Sequence, residues 1–289
     1  MIDRLCVIGV GLIGGSIARG ARAAGWAKTV AGVDADSGNL REALDSGVID
    51  FAYGDAAEGS AGCDLVAIAT PVGAVESVLR LLRPVWSERG VYTDAGSTKL
   101  NVVEAAERVF GSVPPNFVPG HPIAGAERSG VGAAKADLYE GKRVIVTPLP
   151  DTRPDAVSRV EELWRVLGAR VSRMEPHHHD EVLAATSHLP HVLAFALTEM
   201  LGRKDEQQEI FQYAAGGFRD FTRIASSDPR MWLDICLANG REIVPLIEQY
   251  REALGRVAEL ISSRSADELL ALFDDARNAR QRFLDQLEK

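Results

Sequence analysis

The fold is decided by the stretch Leu5-Cys6-Val7-Ile8-Gly9-Val10-Gly11-Leu12-Ile13-Gly14. Its three glycines have the spacing G-x-G-x-x-G, between an apolar run typical of a strand and a helix-like segment. In a dinucleotide-binding turn Gly9 permits the tight bend, Gly11 lets the backbone approach a pyrophosphate, and Gly14 allows close packing of helix on strand. The donors of the helix N-terminus would face that anion. We predict that these residues, with Leu12 and Ile13, bind a dinucleotide; a glycine-rich turn in another α/β fold is the alternative.

The choice of dinucleotide is indicated by Asp34, which ends the next predicted strand 20 residues after Gly14. A carboxylate there accepts hydrogen bonds from the ribose hydroxyls and repels a 2′-phosphate. Residues 35–37 contain no arginine or lysine that could hold such a phosphate. NAD is therefore favoured over NADP. Thr70 and Pro71 end another predicted strand, so we expect them at the same sheet edge, where doubly wound folds bind ligands.

The remaining pattern divides the chain in two. Up to about residue 175, β-branched runs alternate with helical stretches, which is typical of a parallel sheet with crossover helices. Beyond Glu175 only helical segments follow. We predict a Rossmann-type α/β domain over residues 1–175 and an all-helical substrate and dimerisation domain over residues 176–289. The predicted strands are 5–10, 29–34, 65–70, 91–95, 116–119, 143–147 and 170–173, and the predicted long helices are 180–201, 229–261 and 266–287.

Composition narrows the function classes. The chain of 289 residues is 46% hydrophobic and 25% charged, which is typical of a globular protein and excludes a disordered one. Its net charge of −9 argues against a nucleic-acid partner and means that an anionic ligand must be held by local donors. No apolar run approaches the ~20 residues of a membrane span. The glycines that interrupt residues 5–13 argue against a signal peptide. Three widely spaced cysteines favour a reducing cytoplasm and no zinc site.

Two polar clusters follow predicted strands on the nicotinamide side of the cleft. In the first, Ser97 could contribute to the site or cap the helix that follows. In the second, His121 lies between Gly120 and Pro122 on a rigid turn. A histidine that titrates near neutral pH is a natural acceptor for a hydroxyl proton, although a structural role is the alternative.

The helical part carries further candidates. Arg219 and Arg223 would share one helix face, which indicates an anion to be held unless both form salt bridges. His188 and His191 have a metal-ligand spacing without a third ligand, so no metal is predicted. The segment 177–180, His-His-His-Asp, is interpreted as a solvated helix start. The long helices with apolar stripes are expected to pair across a two-fold axis into a homodimer.

A family resemblance extends over nearly the whole chain. It rests on six stretches in the family's order: Gly9–Gly15, Asp94–Lys99, Gly120–Gly125, Ser187–His191, Phe218–Ala225 and Ser227–Trp232. In these the chain resembles the prephenate/arogenate dehydrogenases, also called cyclohexadienyl dehydrogenases. The resemblance implies NAD-dependent oxidative decarboxylation of a cyclohexadienol to an aromatic product, CO2 and NADH, in tyrosine biosynthesis.

The resemblance also implies residue roles. It makes His121 the catalytic histidine and Ser97 its hydrogen-bonding partner, and it makes Arg223 the ligand of a substrate carboxylate. His191, Gly125 and Trp232 would line the substrate site, although a helix tryptophan is also a common core residue. The helical domains would form the dimer interface. Because the sequence ends at Lys289, neither a fused chorismate mutase nor a regulatory domain is expected.

Two other classes are compatible with parts of the pattern. A β-hydroxyacid dehydrogenase or imine reductase combines the same two kinds of domain but typically uses a lysine in the helical part, and residues 181–199 contain none. A non-enzymatic NAD(H) sensor would not need His121 and Arg223 together. The sequence leaves open whether prephenate or arogenate is preferred and which of Arg219 and Arg223 dominates.

Overall fold

The structure is a computed structural model, and it describes residues 1–125, 128–204 and 209–287. The chain divides into two compact units, Met1–Gly240 and Arg241–Lys289. The first unit contains both β-sheets. The domain boundary expected at residue 175 stays a prediction, although the last strand ends at Arg173 and a helix begins at Pro176.

A six-stranded sheet forms the centre of the first unit. Its strands are β1 (Ile2–Ile8), β2 (Ala27–Val33), β3 (Phe51–Tyr53), β4 (Leu65–Ile68), β5 (Val91–Asp94) and β6 (Phe117–Val118). All neighbours are parallel, in the order β3-β2-β1-β4-β5-β6. This is the doubly wound order in which a dinucleotide binds where the order reverses, next to β1. The predicted α/β class is confirmed, and the short strand β3 is an addition to the prediction.

Both faces of this sheet are covered, as alternating strand residues show. Leu5 and Val7 belong to one buried apolar cluster, whereas Cys6 and Ile8 belong to another. The covering helices are α1 (Leu12–Ala23), α2 (Ser37–Asp45), α3 (Ala56–Ser60), α4 (Val75–Leu82), α5 (Leu100–Phe110) and α6 (Pro154–Val166). Helices α1, α2 and α6 contribute to the first cluster, and α3, α4 and α5 contribute to the second. Strands buried on both faces are typical of parallel sheets.

A second, three-stranded sheet carries one of the candidate residues. It consists of β7 (Gly120–Pro122), β8 (Arg143–Val146) and β9 (Arg170–Arg173), with β7 antiparallel and β9 parallel to β8. The strand predicted at 116–119 is confirmed as β6, but a further strand was missed, because the chain leaves the large sheet after Val118 and joins the second one at Gly120. Pro119, which has no N–H to donate to a strand ladder, lies at this change of sheet.

The rest of the first unit is helical. Its elements are α7 (Pro176–Leu183), a π-helical turn (Ala184–His188), α8 (Leu189–Lys204), α9 (Glu209–Gln212), α10 (Gly216–Thr222), a 3-10 turn (Arg223–Ser226) and α11 (Pro229–Ala238). Asp228 caps α11, accepting hydrogen bonds from the Arg230 and Met231 amides at 2.7 and 3.1 Å. The single helix predicted over 229–261 was wrong. It is interrupted at Asn239, whose backbone (φ −110°, ψ 23°) leaves the helical conformation.

The second unit consists of the long helices α12, which begins at Gly240 and ends at Ser262, and α13 (Ala266–Leu287). Several large apolar side chains on these helices are exposed, including Leu254, Leu270 and Phe273. Among the described residues, no helix is long and apolar enough to cross a membrane.

Candidate active site

The glycine loop between β1 and α1 has the geometry that its spacing predicts. Gly9 has a φ of +91°, and a Cβ there would lie 2.7 Å from the Ala69 carbonyl oxygen. At Gly14 a Cβ would lie 2.0 Å from the Gly9 carbonyl oxygen. At Gly11, by contrast, a Cβ would meet no described atom within 4 Å. The loop is therefore closed toward the protein and open at Gly11, where a pyrophosphate needs space. Leu12 and Ile13 begin α1 directly after this opening.

Asp34 lies at the end of β2, and its carboxylate holds the glycine loop. One oxygen accepts hydrogen bonds from the Val10 amide at 2.9 Å and from the Asn39 side chain at 3.0 Å, and the other accepts from the Asp36 amide at 3.0 Å. The side chain is half-buried. Asp34 therefore has a structural role that sequence reasoning missed, in addition to the ribose contact that it predicted.

Thr70 and Pro71 follow β4 at the same edge. A Cβ at Gly9 would lie 2.9 Å from the Thr70 backbone nitrogen, so this segment borders the glycine loop. The Thr70 hydroxyl is buried and has no hydrogen-bond partner among the described residues. A buried polar group without a partner is costly unless a ligand satisfies it. Together with the opening at Gly11, this edge fits a dinucleotide.

Asp94, at the end of β5, joins the loop that contains Ser97 to strand β7, which contains His121. Its carboxylate accepts hydrogen bonds from the Gly96 amide at 2.8 Å and from the Gly120 amide at 3.1 Å. The buried ammonium of Lys99 donates to the same carboxylate and, at 2.7 Å, to the Gly120 carbonyl. Burial lowers the pKa of Lys99, against the raising effect of Asp94. Sequence reasoning did not assign a role to Lys99.

Ser97 is not a helix cap, so one of its two alternatives is wrong. The N-cap residue of α5 is Lys99, without a side-chain cap of its own. The Asp180 carboxylate, from α7, accepts hydrogen bonds from the Lys99 and Leu100 amides at 2.8 and 2.9 Å instead. Ser97 is partly exposed, and its hydroxyl has no hydrogen-bond partner in the part of the chain that the structure describes, so the bond to His121 that the resemblance implies is not formed there.

His121 lies in the middle of strand β7 and is 8% exposed, so the rigid turn predicted for it was wrong. Its Nδ1 is 2.9 Å from Nε2 of His179, and Nδ1 of His179 is 2.8 Å from a carboxylate oxygen of Asp180. The pKa of His121 lies well below its usual value, because burial disfavours the imidazolium and because positive charge on the neighbouring His179, Lys99 or His188 disfavours it further. His121 is therefore neutral near pH 7 and able to accept a proton.

His179 and Asp180 are the main residues of this site that sequence reasoning missed. The interpretation of 177–180 as a solvated helix start is right for His177 and His178, which are exposed, and wrong for His179 and Asp180, which are buried. A signal was present: positions 176, 179, 180 and 183 have helical spacing and all prove buried in α7.

On the helical side, His191 and Trp232 pack together. Their rings are stacked with centroids 3.8 Å apart, and Nδ1 of His191 is 2.8 Å from the Ser187 carbonyl oxygen. Trp232 is only 7% exposed and packs with Val72, two residues beyond Thr70. Its core character is thus confirmed, but its buried indole N–H has no described partner.

Arg219 and Arg223 line one open pocket of about 480 Å³ with Phe211, Phe218 and Thr222. Both arginines therefore face one pocket, as their spacing predicts, although Arg223 begins the 3-10 turn after α10 and does not lie on the same helix. Burial lowers the pKa of His191, and the charge of Arg223 lowers it further, against the raising effect of the Ser187 carbonyl. Gly125 is exposed in the loop after β7, next to residues 126–127, which lie outside the described residues.

The fold and this site define a class. A doubly wound sheet with an open glycine loop, a buried neutral histidine at its edge and an arginine-lined pocket beyond it are the parts of a dinucleotide-dependent dehydrogenase.

Comparisons with known proteins identify the family. Residues 17–173 match the family model of the prephenate dehydrogenase nucleotide-binding domain, and residues 175–275 match that of the dimerization domain. The cyclohexadienyl dehydrogenase of Zymomonas mobilis is 34% identical over 97% of this chain and 96% of its own length. The prephenate dehydrogenase of Bacillus subtilis is 36% identical over 97% of this chain and 76% of its own.

One solved structure is similar to this chain over almost the whole length of both. The crystal structure of prephenate dehydrogenase from A. aeolicus in complex with hydroxyphenyl propionate and NAD+ has a TM-score of 0.91 at 35% identity, covering 98% of this chain and 99% of that one. The chain belongs to the prephenate dehydrogenase family. The resemblance stated from six sequence motifs is confirmed.

Proposed function

We propose that this protein catalyses the NAD-dependent oxidative decarboxylation of prephenate to 4-hydroxyphenylpyruvate and CO2, a step of tyrosine biosynthesis. Arogenate, which would give tyrosine, is the second substrate to be tested. The observation that carries the proposal is the buried neutral His121, held at the edge of a dinucleotide-type sheet in a chain that matches both family models.

The cofactor would be held by the glycine loop and its neighbours. Gly9, Gly11 and Gly14, with Leu12 and Ile13, would bind the pyrophosphate through the backbone and the α1 N-terminus. Thr70 and Pro71 would line the same edge, and the buried Thr70 hydroxyl would find a partner there. The Asp34 carboxylate would accept from the ribose hydroxyls and repel a 2′-phosphate.

The chemistry assigned to the chain itself is proton transfer. When bound, NAD accepts the hydride from the carbinol carbon. Nε2 of His121 takes the hydroxyl proton. Ser97 lies on the loop that Asp94 joins to the strand of His121, and it orients the hydroxyl. The ring carboxylate then leaves as CO2, and its bonding electrons move through the ring to the carbonyl oxygen, which takes the proton back from His121 as the ring becomes aromatic. The residues need only to position the substrate, exclude water and hold the proton.

Substrate binding is assigned to the helical side. Prephenate carries two carboxylates, and the protein has a net charge of −9, so a local cation is needed. Arg223 presents a planar fork that suits a carboxylate. His191, whose Nδ1 is occupied by the Ser187 carbonyl, offers Nε2 to the ligand, with Trp232 behind it and Gly125 in the loop after β7.

The test is a spectrophotometric assay of NADH formation from prephenate, with arogenate, a β-hydroxyacid and NADP in parallel arms. We expect NADH from prephenate with NAD, and little turnover of the β-hydroxyacid. Turnover of the β-hydroxyacid alone would identify the competing dehydrogenase class. NAD binding without turnover of any of these compounds would favour the sensor, and a preference for NADP would contradict the role of Asp34.

We further propose a cytoplasmic homodimer formed through the helical domain. The three free cysteines support a reducing compartment, which cell fractionation can test.

The match of residues 175–275 to a dimerization domain and the exposed apolar residues of α12 and α13 support the dimer. Light scattering at micromolar concentration should give twice the 31.1 kDa chain mass. Phe273→Glu should shift the measured mass toward that of the monomer. Leu81→Glu, at an exposed position of α4, should not. A monomeric wild type would contradict the dimer.

A further inference from the structure

Behind His121, a continuous chain of hydrogen-bonding groups runs into the protein. Nδ1 of His121 faces Nε2 of His179 at 2.9 Å, and Nδ1 of His179 faces an Asp180 carboxylate oxygen at 2.8 Å. His179 is 0% and Asp180 1% exposed. Both come from α7, whereas His121 comes from β7.

The proton positions in this chain follow from what each group can donate. Asp180 accepts from the Lys99 and Leu100 amides, and its pKa is lowered by these contacts and by His179 against the opposing effect of burial, so it is ionised. An ionised carboxylate only accepts, so Nδ1 of His179 carries the proton. Burial keeps His179 neutral, which leaves a lone pair on its Nε2. That lone pair accepts from Nδ1 of His121, and Nε2 of His121 is left as the acceptor.

We propose that His179 and Asp180 are positioning residues that hold His121 in the tautomer with a free Nε2 and stabilise the charge that it gains. This inference rests on the role proposed above for His121. When the substrate hydroxyl proton moves to Nε2, His121 becomes an imidazolium whose Nδ1–H still points at His179. The Asp180 carboxylate, one ring further away, is the anion that offsets this charge in a buried site that also contains the Lys99 ammonium.

Simple core filling does not account for His179. A phenylalanine would fill similar space with no polar atom, whereas a buried imidazole needs two partners. Its two partners are the candidate base and Asp180. Asp180 already caps α5 through two backbone amides and does not need His179 for that. His179 is therefore explained by the hydrogen bonds with which it links His121 to Asp180.

The first test uses the wild-type protein without substrate, so it does not depend on the proposed reaction. In 15N-histidine-labelled protein, with His121 assigned from the His121→Asn variant, we expect Nε2 of His121 unprotonated and Nδ1 protonated. A scalar coupling across the hydrogen bond between His121 Nδ1 and His179 Nε2 should be visible. A proton on Nε2 of His121 would overturn the proposal even if the enzyme is a prephenate dehydrogenase.

The second test uses variants. His179→Phe should lower kcat about 10²-fold, within the ~10²–10⁴ range of general acid–base contributions, with the KM for prephenate and NAD nearly unchanged. It should also mix the two His121 tautomers. His179→Gln, whose amide oxygen can accept from His121, should recover part of kcat and the tautomer. His178→Phe, on the exposed side of the same helix, is the matched control and should match wild type. A His179→Phe enzyme with wild-type kcat and an unchanged tautomer would overturn the proposal.

Discussion

At the scale of single residues, His121 has the properties of a base and can be tested as one. His121→Asn keeps a polar side chain of similar reach but removes the proton acceptor. We expect kcat to fall by about 10²–10⁴-fold, with NAD affinity, measured by calorimetry, nearly unchanged. A variant that retains most of its kcat would show that the buried histidine is only structural.

The pH dependence of the reaction should reflect the burial of His121. His121 must be neutral to accept a proton, and its pKa is held well below 6.5, first by burial and then by positive charge on Lys99 and on His179 and His188 when these are protonated. The kcat/KM for prephenate should therefore stay level as the pH falls through 6.5 and decline only at lower pH. The residual activity of His121→Asn should lack this acid limb. A decline centred at or above pH 6.5 would contradict the assignment.

The two arginines of the open pocket can be separated by matched variants. Arg223 is exposed in the open pocket, so Arg223→Ala should weaken prephenate binding by ~1.5–3 kcal/mol, the range for a hydrogen bond to a charged group, and leave NAD binding intact. Arg223→Lys should also bind poorly, because an ammonium does not reproduce the planar fork. Arg219→Ala, in the same pocket, is the comparison. If the KM for prephenate rises only in Arg219→Ala, the other arginine is the ligand.

At the scale of elements, the break between α11 and α12 supports the active site through the side chain of Asn239. The Asn239 side chain donates to the Asp180 carbonyl at 2.9 Å and lies 3.1 Å from Nδ1 of His188, with 3% exposure. Asn239→Ala leaves buried polar groups without partners, so we expect a loss of ~1–3 kcal/mol in the free energy of unfolding. Urea titration measures this, with exposed Ser262→Ala as the control. Equal midpoints for the two variants would contradict the role of Asn239.

Elements explain what the sequence could and could not predict. The glycine loop and Asp34 were predictable because strand, turn and helix follow one another within a short local motif. His121 and His179 are 58 residues apart, and Lys99 and Asp180 are 81 apart, so nothing local marks them as partners. The break between α11 and α12 could not be predicted for the same reason. An asparagine is tolerated within a helix, and only its distant partners on α7 and in the π-helical turn favour a break there.

At the scale of the whole molecule, buried neutral histidines should make stability depend on pH. Burial is the largest cause of the lowered pKa values of His121, His179 and His188, and for His188 the value is about 4. Between 6.5 and these lower values the unfolded chain binds protons that the folded chain does not, so stability falls as the pH falls. Each histidine contributes up to about 1.4 kcal/mol per pH unit in that window.

The measurement is the urea midpoint between pH 7.5 and 4.5. We expect it to be level above pH 7 and to decrease steadily below 6.5, with a shallower decrease in His121→Asn, which has one fewer such group. Asp180, whose pKa is lowered, adds its own loss only at lower pH, as the solution passes below 3.8. A midpoint that does not change between pH 7 and 5 would contradict this account.

The contacts of Asp180 and His179 also bear on how this protein can be recombined with its relatives. A crossover between β9 and α7, where the secondary structure changes character, would take Asp180 from one parent and the start of α5 from another. It would likewise pair His121 of one parent with His179 of the other. A crossover after Gly240 keeps these partners in one parental segment. Chimeras joined there inherit an intact base and its support, whereas chimeras joined at residue 175 retain them only if both parents carry the same residues.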